Sequence, residues 1–88
     1  MMTDKTPRVL VVDDEADLRE LLVITLGRMK LDATAADSLG SARRLLDSDR
    51  FDLCLTDMNL GDGTGLELLR HAAQVAPDMP VAVITATG

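Results

Sequence analysis

Each stretch of this chain that reads as a strand hands over, within a few turn-forming residues, to a stretch with helical apolar spacing. The order β-α-β-α-β-α-β holds from Val9 to Thr85. Strand–helix alternation at this spacing builds a parallel sheet with helices on its faces, which makes this an α/β chain. Right-handed crossovers then favour a doubly wound sheet. Val9-Leu10-Val11-Val12, bounded by Pro7-Arg8 and Asp13-Asp14, reads as a strand buried on both faces. Asp14 is placed to N-cap the helix that follows, with Glu15 and Asp17 in its first turn. Leu18, Leu21, Leu22, Leu26 and Met29 form its apolar stripe, and Arg19, Glu20 and Arg28 face away. Asp32 to Ala36 is a weaker strand, because Ala is a poor strand former. Ser38 caps a second helix with Leu39, Ala42, Leu45 and Leu46 inward and Arg43-Arg44 on its flank. Phe51 to Thr56 is the next buried strand, ending at Asp57, and Asn59 to Gly65 is a loop of turn formers. Thr64 and Glu67 make a capping-box pattern for a third helix, with Leu66, Leu69, Ala72, Ala73 and Ala76 at helical spacing. Pro77 and Pro80 end it, and Val81 to Thr85 make the last strand.

Composition narrows the class of molecule further. Eighty-eight residues, 47% hydrophobic and 27% charged, suit one small folded domain and exclude a disordered chain. Phe51 is the single aromatic residue, so the core is aliphatic. Nine basic residues against fifteen acidic ones leave a net charge of −6, which repels nucleic acid and anionic membranes. The longest apolar run is four residues, too short for a membrane span or the core of a signal peptide. The lone Cys54 excludes an internal disulfide and a multi-cysteine metal site, and a reduced, cytoplasmic setting is the default expectation.

In an open parallel sheet, ligands bind outside the carboxyl ends of the strands, where strand order reverses. Three such ends carry polar groups here: Asp13-Asp14 after the first strand, Asp57 after the third and Thr85-Ala86-Thr87-Gly88 after the fourth. Each has a bland reading: Asp14 as a helix cap, Asp57 as a polar strand stop, Thr85 as a strand-favouring residue. If the first and third strands are neighbours, three carboxylates converge in one small pocket. Crowded carboxylates repel until a proton or a cation joins them, and Mg²⁺ is the natural cation for hard oxygen ligands of this charge.

The segments Val9-Leu10-Val11-Val12-Asp13-Asp14-Glu15, Leu55-Thr56-Asp57-Met58-Asn59-Leu60 with Gly65, and Pro80-Val81-Ala82-Val83-Ile84-Thr85-Ala86 resemble the receiver domains of two-component response regulators, in order and spacing. The resemblance implies a flavodoxin-like sheet of strand order 2-1-3-4. It implies that Asp57 accepts a phosphoryl group from the phosphohistidine of a sensor histidine kinase, to control a transcription-activating output. It implies that Asp13, Asp14, Asp57 and the backbone carbonyl of Asn59 hold Mg²⁺, and that Thr85 is the switch hydroxyl. Arg19-Glu20-Leu21-Leu22, Leu26 to Asp32, Leu53 to Met58 and Ile84-Thr85-Ala86 resemble more narrowly the receivers of sigma-54-dependent activators, above all those governing type IV pilus genes.

Two departures from the family shape the expectations. Where receivers usually carry a proline in the loop after the acceptor strand, this chain has Gly61, which predicts a more mobile loop and a looser hold on Asn59. Residues 1–88 also read as a single receiver domain incomplete at its C-terminus, without the fifth strand, the last helices or the phosphoryl-binding lysine. That reading predicts impaired phosphotransfer and an exposed apolar edge at Val81–Thr85, hence a homodimer or higher self-association by edge pairing or segment exchange. Two rivals stand beside the signalling module, which is not an enzyme. One is a Mg²⁺-dependent phosphohydrolase, against which Asp13-Asp14-Glu15 lacks the Asp-x-Asp spacing and Asn59 replaces a general acid. The other is a chemically silent interaction module of the same fold. His71 reads as a solvated helix histidine, Cys54 as a small buried hydrophobe and Arg43-Arg44 as an exposed pair.

Overall fold

The computed structural model describes residues 6–84. Within them the elements alternate as expected: β1 (Arg8–Val12), α1 (Ala16–Arg28), β2 (Asp32–Ala36), α2 (Leu39–Ser48), β3 (Leu53–Asp57), α3 (Gly65–Val75) and β4 (Val81–Ile84). The strands form one parallel sheet in the order β2-β1-β3-β4, so the expected doubly wound topology is present. Strand order reverses at β1, which pairs with β2 on one side and β3 on the other.

β1 is buried on both faces because its alternate side chains enter two cores. Leu10 and Val12 point toward α2 and α3, where they join Leu39, Ala42, Leu46, Phe51, Cys54, Leu60, Leu68 and Ala72 in a continuous buried cluster. Val9 and Val11 point toward α1 and meet Leu26, with Leu22, Leu31, Ala33, Leu53 and Leu55 packed partly around them. Burying a Leu or Val side chain contributes roughly 1.5–3 kcal/mol, so the α2/α3 face carries the larger share of the core.

Local capping explains where the helices start and stop. The Ser38 hydroxyl accepts from the Ser41 N–H at 3.1 Å and the Thr64 hydroxyl from the Glu67 N–H at 3.2 Å, so α2 and α3 begin where the sequence predicts. At the end of α1 the Leu31 N–H donates to the Leu26 carbonyl and the Lys30 N–H to the Gly27 carbonyl, both at 3.0 Å. This closed turn requires a left-handed residue, and Lys30 takes that place with φ 65° where glycine is usual.

Several sequence expectations are corrected. α1 has Glu15, not Asp14, at its N-cap, and no side chain caps it. Its stripe is narrower than expected, because Leu21 is 58% and Met29 62% exposed while Leu26 is buried. In α3 the buried positions are Gly65, Leu68 and Ala72, whereas Leu66 and Leu69 are exposed. The cap at Thr64 and the close seating of Gly65 against β3 fix that rotation. β3 starts at Leu53, since Asp52 exchanges bonds with the Arg8 backbone and Phe51 lies beneath the Arg8 guanidinium, 4.8 Å from its ring centre. His71 is half-buried rather than solvated, with Nε2 2.8 Å from Asp47 Oδ1 across the α2–α3 contact. Cys54 is fully buried, as expected, and burial pushes its thiol up to about 12. Thr85, expected to close the last strand, lies outside the described residues.

Candidate functional site

The register between β1 and β3 builds the site. Val12 lies opposite Thr56, so the next residues, Asp13 just after β1 and Asp57 at the end of β3, emerge side by side at the carboxyl rim, with Asp14 next in the chain. One carboxylate oxygen from each of Asp13, Asp14 and Asp57 lies within 4.8 Å of the other two. Asp13 is buried, Asp57 half-buried and Asp14 exposed. The three residues singled out from strand-end pattern alone do converge.

Short hydrogen bonds orient two of them. The Glu15 N–H donates to Asp13 Oδ1 at 2.8 Å, which turns the chain into α1 and fixes the carboxylate. The Arg19 guanidinium donates to the Asp13 backbone carbonyl at 2.7 Å, so Arg19 bolts the first turn of α1 onto the strand end. The Met58 N–H donates to Asp57 Oδ1 at 2.7 Å, and the Thr56 hydroxyl to the Asp57 carbonyl at 2.9 Å. These contacts use one oxygen of Asp13 and one of Asp57, leaving the second oxygen of each for another partner. Asp14, freed from the capping role, keeps its carboxylate at the mouth of the cluster.

The loop after Asp57 folds back as a two-residue bridge. Gly65 N–H donates to the Met58 carbonyl at 2.7 Å and Leu60 N–H to the Gly63 carbonyl at 2.9 Å, pairing Asn59 with Thr64. Neither bond uses the Asn59 carbonyl, the fourth ligand implied by the resemblance. Gly65 is required where it stands, because a Cβ there would meet the Asp57 carbonyl oxygen at 2.6 Å. The structural parts played by Arg19 and Gly63 escaped the sequence reading. Arg19 looks like a solvent-facing helix residue until the strand end is seen to lie within its reach.

Among the described residues no basic side chain pairs with any of the three carboxylates. Three carboxylates so close, with no basic partner among the described residues, form a donor set of hard oxygens that suits a small divalent cation. Of the three, Asp57 is the half-buried carboxylate at the end of β3, between the buried Asp13 and the exposed Asp14.

Residues 9–88 match the response regulator receiver domain family, and the chain belongs to it. It is 58% identical over 81 residues to the response regulator protein PilR of Pseudomonas aeruginosa, a match covering 92% of this chain and 18% of that protein. The narrower resemblance to receivers of that regulator class is thus borne out, although the chain spans less than a fifth of that relative's length. Among solved structures, the response regulator TrrA of Thermotoga maritima, in complex with Mg²⁺-BeF, superposes with a TM-score of 0.89 at 29% identity, covering 94% of this chain and 72% of that one. A response regulator of Burkholderia pseudomallei, solved with a phosphorylated aspartic acid, gives 0.87 at 26% identity, covering 93% and 48%.

Proposed function

We propose that Asp57 is the phosphoacceptor of this receiver domain, that Asp13, Asp14, Asp57 and the Asn59 backbone carbonyl hold Mg²⁺, and that Thr85 is the switch hydroxyl. The observation that carries this reading is the approach of three carboxylates to within 4.8 Å with no basic partner among the described residues. An Asp57 oxygen attacks the phosphorus of a phosphohistidine on a sensor histidine kinase. The new O–P bond gives an acyl phosphate, and the electron pair of the broken P–N bond returns to the imidazole. A bound Mg²⁺ supplies neutralisation of charge on the transferring group. Asp57 is oriented for the attack by the Met58 N–H, which leaves its second oxygen to act. Asp13 is held by the Glu15 N–H, so this metal ligand is oriented before any phosphoryl group arrives.

The module works in the cytoplasm and relays the phosphoryl signal to a transcription-activating output, without touching nucleic acid itself, as its charge of −6 favours. Among the described residues β4 pairs only with β3, and Ile84 is 36% exposed, which supports self-association by strand pairing.

Intact-protein mass after incubation with acetyl phosphate and Mg²⁺ tests the acceptor. One added phosphoryl group is expected, and it disappears in Asp57→Asn. No added mass in the wild-type chain, or equal labelling of the variant, would refute the assignment.

A further inference from the structure

Asp62 lies in the same loop as Asn59 but outside the carboxylate cluster, and it bonds to a different part of the molecule. Its Oδ1 accepts from the Leu39 N–H at 2.8 Å and its Oδ2 from the Gly40 N–H at 3.0 Å. These are the first two N–H groups of α2, donors that no helix satisfies internally. α2 does not need Asp62 to be capped, because Ser38 already caps it locally. Both oxygens of a carboxylate are thus committed to a bridge spanning 22 and 23 residues of sequence. The bonds from Leu39 and then Gly40 hold its carboxyl below the usual carboxylate range, which keeps it charged as an acceptor.

The flanking residues follow the same geometry. Leu60 is 2% exposed and sits in the buried cluster with Leu39. A Cβ on Gly63 would overlap the Leu39 side chain, so any larger residue there would force Leu39 to shift. Between them Gly61 has φ +83°, a left-handed angle that L side chains rarely adopt. Such a residue leaves the loop path soft unless something beyond it holds the chain, and Asp62 is the next residue.

We infer that Asp62 is a positioning residue: by clamping the Asn59–Gly63 loop to the N-terminus of α2, it holds the Asn59 carbonyl at the Asp13–Asp14–Asp57 cluster and so sets the affinity for a divalent cation. This inference rests on the cation site proposed above. It also explains why the loop can dispense with a rigid residue at Gly61, since the restraint comes from a tertiary bond one residue later.

The test compares Asp62→Ala, Asp62→Asn and Ser38→Ala with wild type, by Mg²⁺ titration in a calorimeter and by amide hydrogen exchange of the metal-free chain. Asp62→Ala is expected to weaken Mg²⁺ binding roughly tenfold, the scale seen when an orienting partner of a metal ligand is lost. Asp62→Asn retains one acceptor oxygen and should lose less. Ser38→Ala lowers the melting temperature by removing the local cap but leaves the Mg²⁺ dissociation constant unchanged, which separates the clamp from general loosening of α2. Without metal, Asp62→Ala accelerates exchange at the Leu60 amide and Ser38→Ala does not. A wild-type dissociation constant in Asp62→Ala, or equal weakening in Ser38→Ala, overturns the inference. Should wild type itself bind no Mg²⁺, or bind it undiminished after Asp13→Asn, the cation site fails, and the exchange of Leu60 alone then decides the clamp. Unchanged exchange in Asp62→Ala would sink it.

Discussion

On one face of the sheet, α2 and α3 close over Leu10, Val12 and Cys54 with buried side chains running from Leu39 to Ala72. On the other, α1 lies across Val9 and Val11 with Leu26 as the buried helical anchor, while Leu21 and Ile24 remain 58% and 49% exposed. The first pair of helices is side-chain capped by Ser38 and Thr64, whereas α1 has no cap and ends on a left-handed lysine. The strands between the two faces are the same, so the difference lies in how completely each helix finds a groove. It shows that the site draws on unequal supports. Asp57 and its loop are anchored in the deep face, and Asp14 stands at the head of the lightly packed helix.

The largest effect expected from this contrast comes from truncating equivalent leucines. Leu68→Ala, at a side chain with no exposed surface, should cost about 2–5 kcal/mol in urea unfolding, whereas Leu22→Ala on the α1 face should cost about 1 kcal/mol. Equal losses would mean that the two faces are equally well packed. Lys30→Gly relieves the left-handed residue that closes α1 and should raise stability by up to about 1 kcal/mol, read in the same titration. No gain there would show that the strain is relieved by other contacts of the turn. The smallest effect concerns pH. Because its α2 bonds lower the folded-state value of Asp62, the stability they contribute is fully present above the ordinary carboxylate value of about 3.9, and is lost as pH falls through the lower folded value. The difference in urea midpoint between wild type and Asp62→Ala should therefore stay constant from neutral pH down to about pH 5, and close only below about pH 4. A difference that closes at higher pH would show that Asp62 gains nothing from those bonds.

Much of the architecture could be read from residue order. The range of β2 falls on Asp32–Ala36 despite its alanines, because its position between two helices and beside β1 overrides weak propensity. The caps at Ser38 and Thr64 were legible because the backbone N–H groups they accept from lie three residues ahead. The rotation of α3 was not. Leu66, Leu68 and Leu69 offer two possible stripes, and the seating of Gly65 on the Asp57 carbonyl decides for Leu68. The carboxylate cluster was legible because strand ends in a parallel sheet share a rim. Its supports were hidden, since nothing local in sequence links Asp62 to Leu39 or Arg19 to the Asp13 carbonyl.

Cys54 gives the molecule an internal clock. It is the only thiol, it has no exposed surface, and it stands on β3 three residues before Asp57. Since the thiolate is the reacting form and burial pushes this thiol up to about 12, a sulfhydryl reagent at neutral pH must wait for β3 to part from its neighbours. Each labelling event then timestamps one opening of the strand that carries Asp57. Slower ticking with cation added would measure, in seconds, how firmly the acidic rim fastens the sheet beneath it.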